Sequence, residues 1–165
     1  MTEEISEIKS KPVYDILQYD PKSRSNLLVS EGNGLVGLVD FLNGSESIPP
    51  STINVMCAIS NAEPLNPSSY ISPDRCNKMR LFDNVNALLE DLPVTLSNSQ
   101  MGLRLYICGS EIFLWRVANL ARAAGMHKSE YSMQLIGSKA RRVYCPHCKT
   151  TSEEVTTDIH ECVGC

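Results

Sequence analysis

The chain has 165 residues, 42% of them hydrophobic and 21% charged, with a formal net charge of −4. Such a composition describes one folded domain with a small appendage, and the acidic balance argues against nucleic acid or an anionic membrane as partner. No apolar run approaches the ~20 residues of a membrane helix, and the N-terminus, Met-Thr-Glu-Glu-Ile-Ser-Glu, lacks the apolar stretch of a signal peptide.

Residues 1–24 read as a polar leader with a short strand at Val13 to Leu17. The body begins with an apolar run, Asn26 to Ser30, then the turn Glu31-Gly-Asn-Gly34. Leu35, Val36, Leu38, Val39, Phe41 and Leu42 follow at helical spacing, and Asn43-Gly44 ends that helix. Ile53 to Ile59 is a second buried strand, and Asn61 to Asp74 a loop rich in Asn, Pro and Ser. Lys78 to Phe82 is a third strand, and Val85 to Leu92 a helix closed by Pro93.

Leu103 to Cys108 is a fourth strand, with Gly109-Ser110 at its turn. Ser110 suits the N-cap of a helix over Glu111 to Ala124 that Gly125 stops. In that helix Ile112, Trp115, Ala118 and Arg122 recur at near-helical steps, and Phe113, Val117 and Leu120 complete the apolar surface. Tyr131 to Ile136 is the last strand of the body. Short apolar strands alternating with helices specify an α/β fold: a parallel sheet over residues 25–138, covered on both faces.

Residues 139–165 form the appendage. Cys145-Pro-His-Cys148 and Cys162-Val-Gly-Cys165 are two Cys-x-x-Cys pairs thirteen residues apart. Each spacing turns both sulfurs toward one point, and the intervening stretch permits a small hairpin that folds one pair onto the other. Cys145, Cys148, Cys162 and Cys165 then make the tetrahedral thiolate cage that zinc prefers and iron accepts. The span Lys149 to Glu161 contains no aromatic residue to pack around a rubredoxin-type iron, and its Thr and Val content suits two short strands. Zinc is favoured, and it would supply much of the folding free energy of this ribbon. His147 and His160 are spare ligands. The fourth sulfur belongs to the final residue, which suggests a truncated C-terminus. Cys57, Cys76 and Cys108 read as reduced thiols, at least two of them buried, and with metal-type cysteine spacing they point to the cytoplasm.

The segment Leu105-Tyr-Ile-Cys-Gly109, followed by Glu111-Ile-Phe113 and a helix ending at Gly125, resembles the last strand–helix–strand of the nucleotide domain of ferredoxin-reductase-type flavoenzymes. Leu27 to Gly37 sits where those enzymes carry a Gly-Gly-x-Gly-x-Thr-Pro loop. Glu31, however, replaces the first glycine, Val36-Gly37 the Thr-Pro, and Ser110 the proline of their Cys-Gly-Pro turn. A pyrophosphate would lie there against backbone N–H groups. Glu31 opposes it by ~1–2 kcal/mol, and Ile59-Ser60-Asn61 offers no arginine for a 2′-phosphate. The expectation is a reductase-shaped body that has lost its coenzyme, with no cofactor-binding residues and no catalytic residues of its own. Cys108 is then a buried structural thiol. No flavin barrel precedes the domain in this sequence, and a nucleotide domain without flavin has no hydride acceptor.

A second resemblance joins body and ribbon. Gly102-Leu-Arg-Leu-Tyr106, Phe113-Leu-Trp-Arg-Val117, Ala121-Arg-Ala-Ala-Gly125, Arg141-Arg-Val-Tyr-Cys-Pro-His-Cys-Lys-Thr150 and Val155-Thr-Thr157 resemble the small accessory subunit of bacterial dimethylamine monooxygenase. The resemblance implies a multisubunit enzyme using NADPH and O2 to convert dimethylamine to methylamine and formaldehyde. A haem-containing oxygenase subunit and a flavin/iron–sulfur reductase subunit would carry haem, FMN and a 2Fe–2S cluster, and this chain would dock them. Lys139, Arg141, Arg142 and Lys149 form a basic neck that could meet an acidic partner, and Trp115 and Arg116 could anchor an interface. The rival reading is a rubredoxin-like electron-transfer subunit with iron between the four cysteines. A ribbon-type nucleic-acid module is disfavoured by the acidic charge.

Overall fold

The computed structural model describes residues 13–59, 67–137, 140–157 and 159–165. In the body, β1 (Ser25–Glu31), α1 (Gly34–Asn43), β2 (Ile53–Ala58) and a single turn α2 (Pro67–Tyr70) are followed by β3 (Lys78–Phe82) and α3 (Val85–Ser97). Then come β4 (Leu103–Gly109), α4 (Glu111–Ala123) and β5 (Tyr131–Leu135). The strands form one parallel sheet in the order β3-β2-β1-β4-β5. The α/β architecture expected from the alternating pattern is present.

The central strands explain why the sequence shows unbroken apolar runs rather than alternation. In β1, Leu27 and Val29 join Leu105 and Ile107 of β4 under α3 and α4, whereas Leu28 joins Tyr106 under α1. Both faces are dry, so both phases of the strand must be apolar. Phe41 of α1 packs on Tyr106 with ring centroids 4.5 Å apart. α1 approaches the sheet so closely that a Cβ on Gly34 would overlap the Cys108 carbonyl. Only glycine can start this helix there.

Three local expectations need correction. Val13 to Leu17 is not a strand. The segment runs past the edge strand β5, and the backbone N–H groups of Leu17 and Asp20 go to side chains rather than to a ladder. Leu17 N–H donates to Gln134 Oε1 (2.9 Å) and Asp20 N–H to Tyr106 Oη (3.1 Å), while Arg104 Nε donates to Asp20 Oδ2 (2.6 Å). Leu17 is buried, so residues 13–24 are not wholly a polar leader; residues 1–12 lie outside the described part, as do residues 61–66 of the expected loop.

Secondly, α3 runs through Pro93 to Ser97. Asn84 Oδ1 caps it by accepting the Ala87 N–H. Leu88, Leu92 and Leu96 are all buried at i, i+4 spacing, and Pro93 lies on the exposed face. Burying Leu96 (~1.5–3 kcal/mol) offsets much of the ~3 kcal/mol cost of an interior proline.

Thirdly, the ribbon's hairpin lies elsewhere. β6 (Arg141–Tyr144) precedes the first cysteine pair and pairs antiparallel with β7 (Thr151–Val155). The Cys145–Lys149 knuckle is therefore the hairpin turn. Cys145 N–H donates to Thr150 O, Lys149 N–H donates to Cys145 O, and Lys149 takes φ +65. The knuckle supplies the reversal expected between the two cysteine pairs.

Candidate metal centre and strand-end cleft

The four cysteines expected from spacing converge. Their sulfurs all lie within 4.8 Å of one another, with Cys148···Cys162 at 3.3 Å and Cys145···Cys165 at 3.7 Å. Four sulfurs ~2.3 Å from one tetrahedral ion stand about 3.8 Å apart. The donor set and its spacing thus fit a thiolate-preferring ion. Gly164 N–H lies 3.4 Å from Cys162 Sγ, and Thr150 Oγ1 3.3 Å from Cys148 Sγ.

Charge explains why this cage suits a cation. The Thr150 hydroxyl and then the Thr150 backbone N–H bring the Cys148 thiol down to about 6. Cys148, and after it Cys145, push Cys165 up to about 12. Backbone N–H groups bring Cys145 down as well, whereas Cys162 and Cys165 hold their protons, Cys165 chiefly in hydrogen bonds to its neighbours' sulfurs. A bound cation displaces those protons. His147 Nδ1 lies 3.7 Å from Cys165 Sγ, beside the cage but outside the converging set, and His160 is likewise no member of it.

A second feature lies where the strand order reverses between β1 and β4. A depression of about 430 Å³ opens at the C-terminal ends of the strands, lined by Glu31, Gly32, Asn33, Asp83, Ser110 and Ile136. Folds of this type bind ligands at such a switch point. Here the Glu31 carboxylate occupies the end of α4, where Oε1 accepts the Ser110 N–H at 3.1 Å and the Ser110 hydroxyl. The helix end already holds an anion belonging to the protein. Sequence reasoning identified Glu31 as an unwelcome charge but not its partner, which lies 79 positions away. Ser110 also caps α4, its hydroxyl accepting the Phe113 N–H.

Other singled-out residues are engaged locally. Trp115 Nε1 donates to Tyr14 Oη, and Tyr14 donates to Glu111 Oε1, both at 2.9 Å. Of the expected apolar surface of α4, Phe113, Val117 and Ala118 are buried and Leu120 packs on the core, joined by Leu114 and Ala121, whereas Trp115 is 38% exposed. Arg116 donates to Asn86. Lys149 Nζ sits 5.8 Å from the Tyr144 ring centroid. Lys139 lies outside the described residues, as do the side chains of Arg141 and Arg142, and so do Ser60 and Asn61. Cys57 and Cys108 are buried and Cys76 is partly buried, all as free thiols.

The body also matches known proteins. Residues 6–131 fit the model of the dimethylamine monooxygenase subunit DmmA-like N-terminal domain. The chain belongs to that family. Over 84 residues it is 36% identical to the heme-dependent oxidative N-demethylase delta subunit of Ectopseudomonas mendocina (strain ymp). That match takes in 51% of this chain and 48% of the relative, so it spans about half of each. Among solved structures, an intact type IV self-sufficient cytochrome P450 monooxygenase superposes with a TM-score of 0.59 at 14% identity, over 82% of this chain and 19% of that one. The flavohem-like FAD/NAD-binding domain of nitric oxide dioxygenase from Vibrio cholerae O1 biovar El Tor gives 0.53 at 14% identity, over 76% and 56%. At such identity these likenesses establish the fold alone, and the fold is that of the ferredoxin-reductase nucleotide domain. The DmmA-like match ends before the cysteine quartet, so the ribbon stands on its own geometry.

Proposed function

We propose that this chain is a non-catalytic accessory subunit of a haem-dependent oxidative N-demethylase that takes dimethylamine to methylamine and formaldehyde with NADPH and O2. The DmmA-like match and the delta-subunit relative support membership of such an assembly. In this reading a haem-containing oxygenase subunit and a flavin/iron–sulfur reductase subunit hold haem, FMN and the 2Fe–2S cluster, and this chain docks them. The observation that carries a non-catalytic role is the Glu31 carboxylate, held by the Ser110 N–H at the β1–α1 turn against which a coenzyme pyrophosphate would have to lie. The body is residues 25–138 and the ribbon residues 139–165. Cys145, Cys148, Cys162 and Cys165 hold one zinc ion as a closed structural site, which fixes the second knuckle on the first and leaves no open position for substrate. Reduced thiols in the body suit the cytoplasm.

Iron in the same cage, relaying single electrons, is the alternative, since four sulfurs at this spacing accept it. The ribbon offers little packing around an iron: Val155 is buried, but Tyr144 is 56% exposed. Purification of the full chain, alone and co-expressed with its partners, tests the proposal. A colourless chain with about one zinc ion, no NADPH binding and recovery with a haem protein is expected. A metal-free chain, iron–thiolate colour, or tight NADPH binding by the chain alone overturns the corresponding part.

A further inference from the structure

The two ends of the parallel sheet differ in charge. Around the first residues of the strands lie Lys22, Arg24, Lys78 and Lys128, beside Arg75, Arg80 and Arg104. The last three are used internally: Arg104 by Asp20 and Glu130, Arg80 by Asp91, and Arg75 by the Leu42 carbonyl. Lys22, Arg24, Lys78 and Lys128 make no ion pair among the described residues. In a chain of net charge −4 they leave this end of the sheet with cations in excess of the acids beside them, although Lys22 also feels Asp20 and Lys78 also feels Asp91.

The same end carries exposed apolar side chains beside shaped depressions. Met101, at the tip of the α3–β4 turn, is 92% exposed, and Val94 on α3 is 59% exposed. Gly102 takes φ +94 over the Arg24 stem, and this reversal forms the turn that carries Met101. A depression of about 420 Å³ lies between α3 and β3, with Lys78, Arg80, Thr95 and Asn98 on its walls and Val94 at its side. A smaller one, about 190 Å³, is bordered by Met101 itself and Met126. An apolar knob beside hollows, ringed by cations, has the anatomy of a protein interface.

We propose that this end of the sheet is a docking surface for an acidic face of a partner subunit, with Met101 and Val94 at its centre and Lys22, Arg24, Lys78 and Lys128 as its rim. The inference rests on the assembly reading above but names a surface away from the ribbon's basic neck and from the strand-end cleft. A second copy of this chain is a poor occupant. Of the acids at the opposite end of its own sheet, Glu31 is engaged by Ser110 and Glu111 by Tyr14, which leaves Asp83 to face four cations. The partner must therefore bring the negative charge. Association will be steered by long-range attraction and weakened by salt.

The test measures binding of the full chain to the purified oxygenase and reductase subunits at low and high salt. The triple variant Lys22→Glu/Lys78→Glu/Lys128→Glu should bind about tenfold or more weakly and with a flatter salt dependence. Met101→Asp should weaken binding to a similar degree while keeping the salt slope. Asp83→Lys, at the opposite end, should bind as wild type, and thermal midpoints show that each variant is folded. A wild-type complex indifferent to both the triple variant and Met101→Asp overturns the surface alone. A wild-type chain that joins no partner overturns the subunit reading and the surface with it. Self-association, or binding of a single-stranded polynucleotide, through the same residues would also overturn the proposal.

Discussion

Cys57 on β2 and Cys108 on β4 stand opposite the same residue of β1, Ser30, and all three are buried. Burial pushes the Cys108 thiol from 9.0 up to about 12 and Cys57 up to about 11, with the Ser30 hydroxyl at 3.2 Å partly opposing the latter. Burial, and then the bond to Glu111, raises Tyr14 to about 12. In the unfolded chain these groups lose their protons first. Their contribution is therefore complete below about pH 9 and lost as the pH climbs toward 12. The urea midpoint should be level up to pH 9 and fall between pH 9 and 11, and Cys108→Ala should flatten that fall. An unchanged slope in the variant would place the alkaline sensitivity elsewhere. At the same scale, Glu31→Ala removes the carboxylate from the α4 end. Any residual NADPH affinity should rise about five- to thirtyfold, as ~1–2 kcal/mol of repulsion disappears; calorimetric titration reads it, and no gain would show that the cleft is closed for another reason. The sequence exposed the oddity of Glu31, because charge is legible in a string of letters. Its seat on the Ser110 N–H was not legible, because the pairing exists only once β1 and β4 lie side by side.

The elements of the body were legible where apolar runs were long and turns carried glycine or a capping residue: Ser110 and Gly125 bracket α4 as expected. Pro93 misled, since local propensity opposes what the Leu88–Leu92–Leu96 stripe gains from the core. Pro93→Ala restores the missing N–H on an exposed face, and thermal or urea unfolding should show a gain of about 1–3 kcal/mol. A loss instead would mean that the proline sets a bend that the core requires. The ribbon misled differently. Thr and Val content located β7 but not its partner, because Arg141-Arg-Val-Tyr144 has no strong strand signature and the knuckle's reversal rests on backbone bonds among Cys145, Lys149 and Thr150 and on a positive φ at Lys149. Gly164 sits where a Cβ would meet Thr150 and come 3.0 Å from Cys148 Sγ. Gly164→Ala should weaken zinc retention against a chelator by about tenfold or more, measured by competition with a chromogenic chelator.

At the scale of the molecule, body and ribbon hold together by different means. The body has two continuous apolar layers, whereas in the described part of the hairpin Val155 alone is a buried apolar side chain. Removing the ion with a strong chelator should therefore unfold residues 140–165 and leave the body's melting transition in place. Hydrogen exchange would report both, and loss of the body's protection would show that the two units fold as one. The sequence by itself determined the parallel α/β class, the α4 boundaries and the identity of the four clustered cysteines, because periodicity, capping chemistry and Cys-x-x-Cys spacing are local properties. Only the tertiary structure decided that α3 continues past a proline, that the hairpin turns at the first knuckle, that a carboxylate fills the helix end, and that basic and apolar groups from four separate segments meet at one end of the sheet. Each of these depends on groups far apart in the chain, whose energies exist only after packing has brought them together.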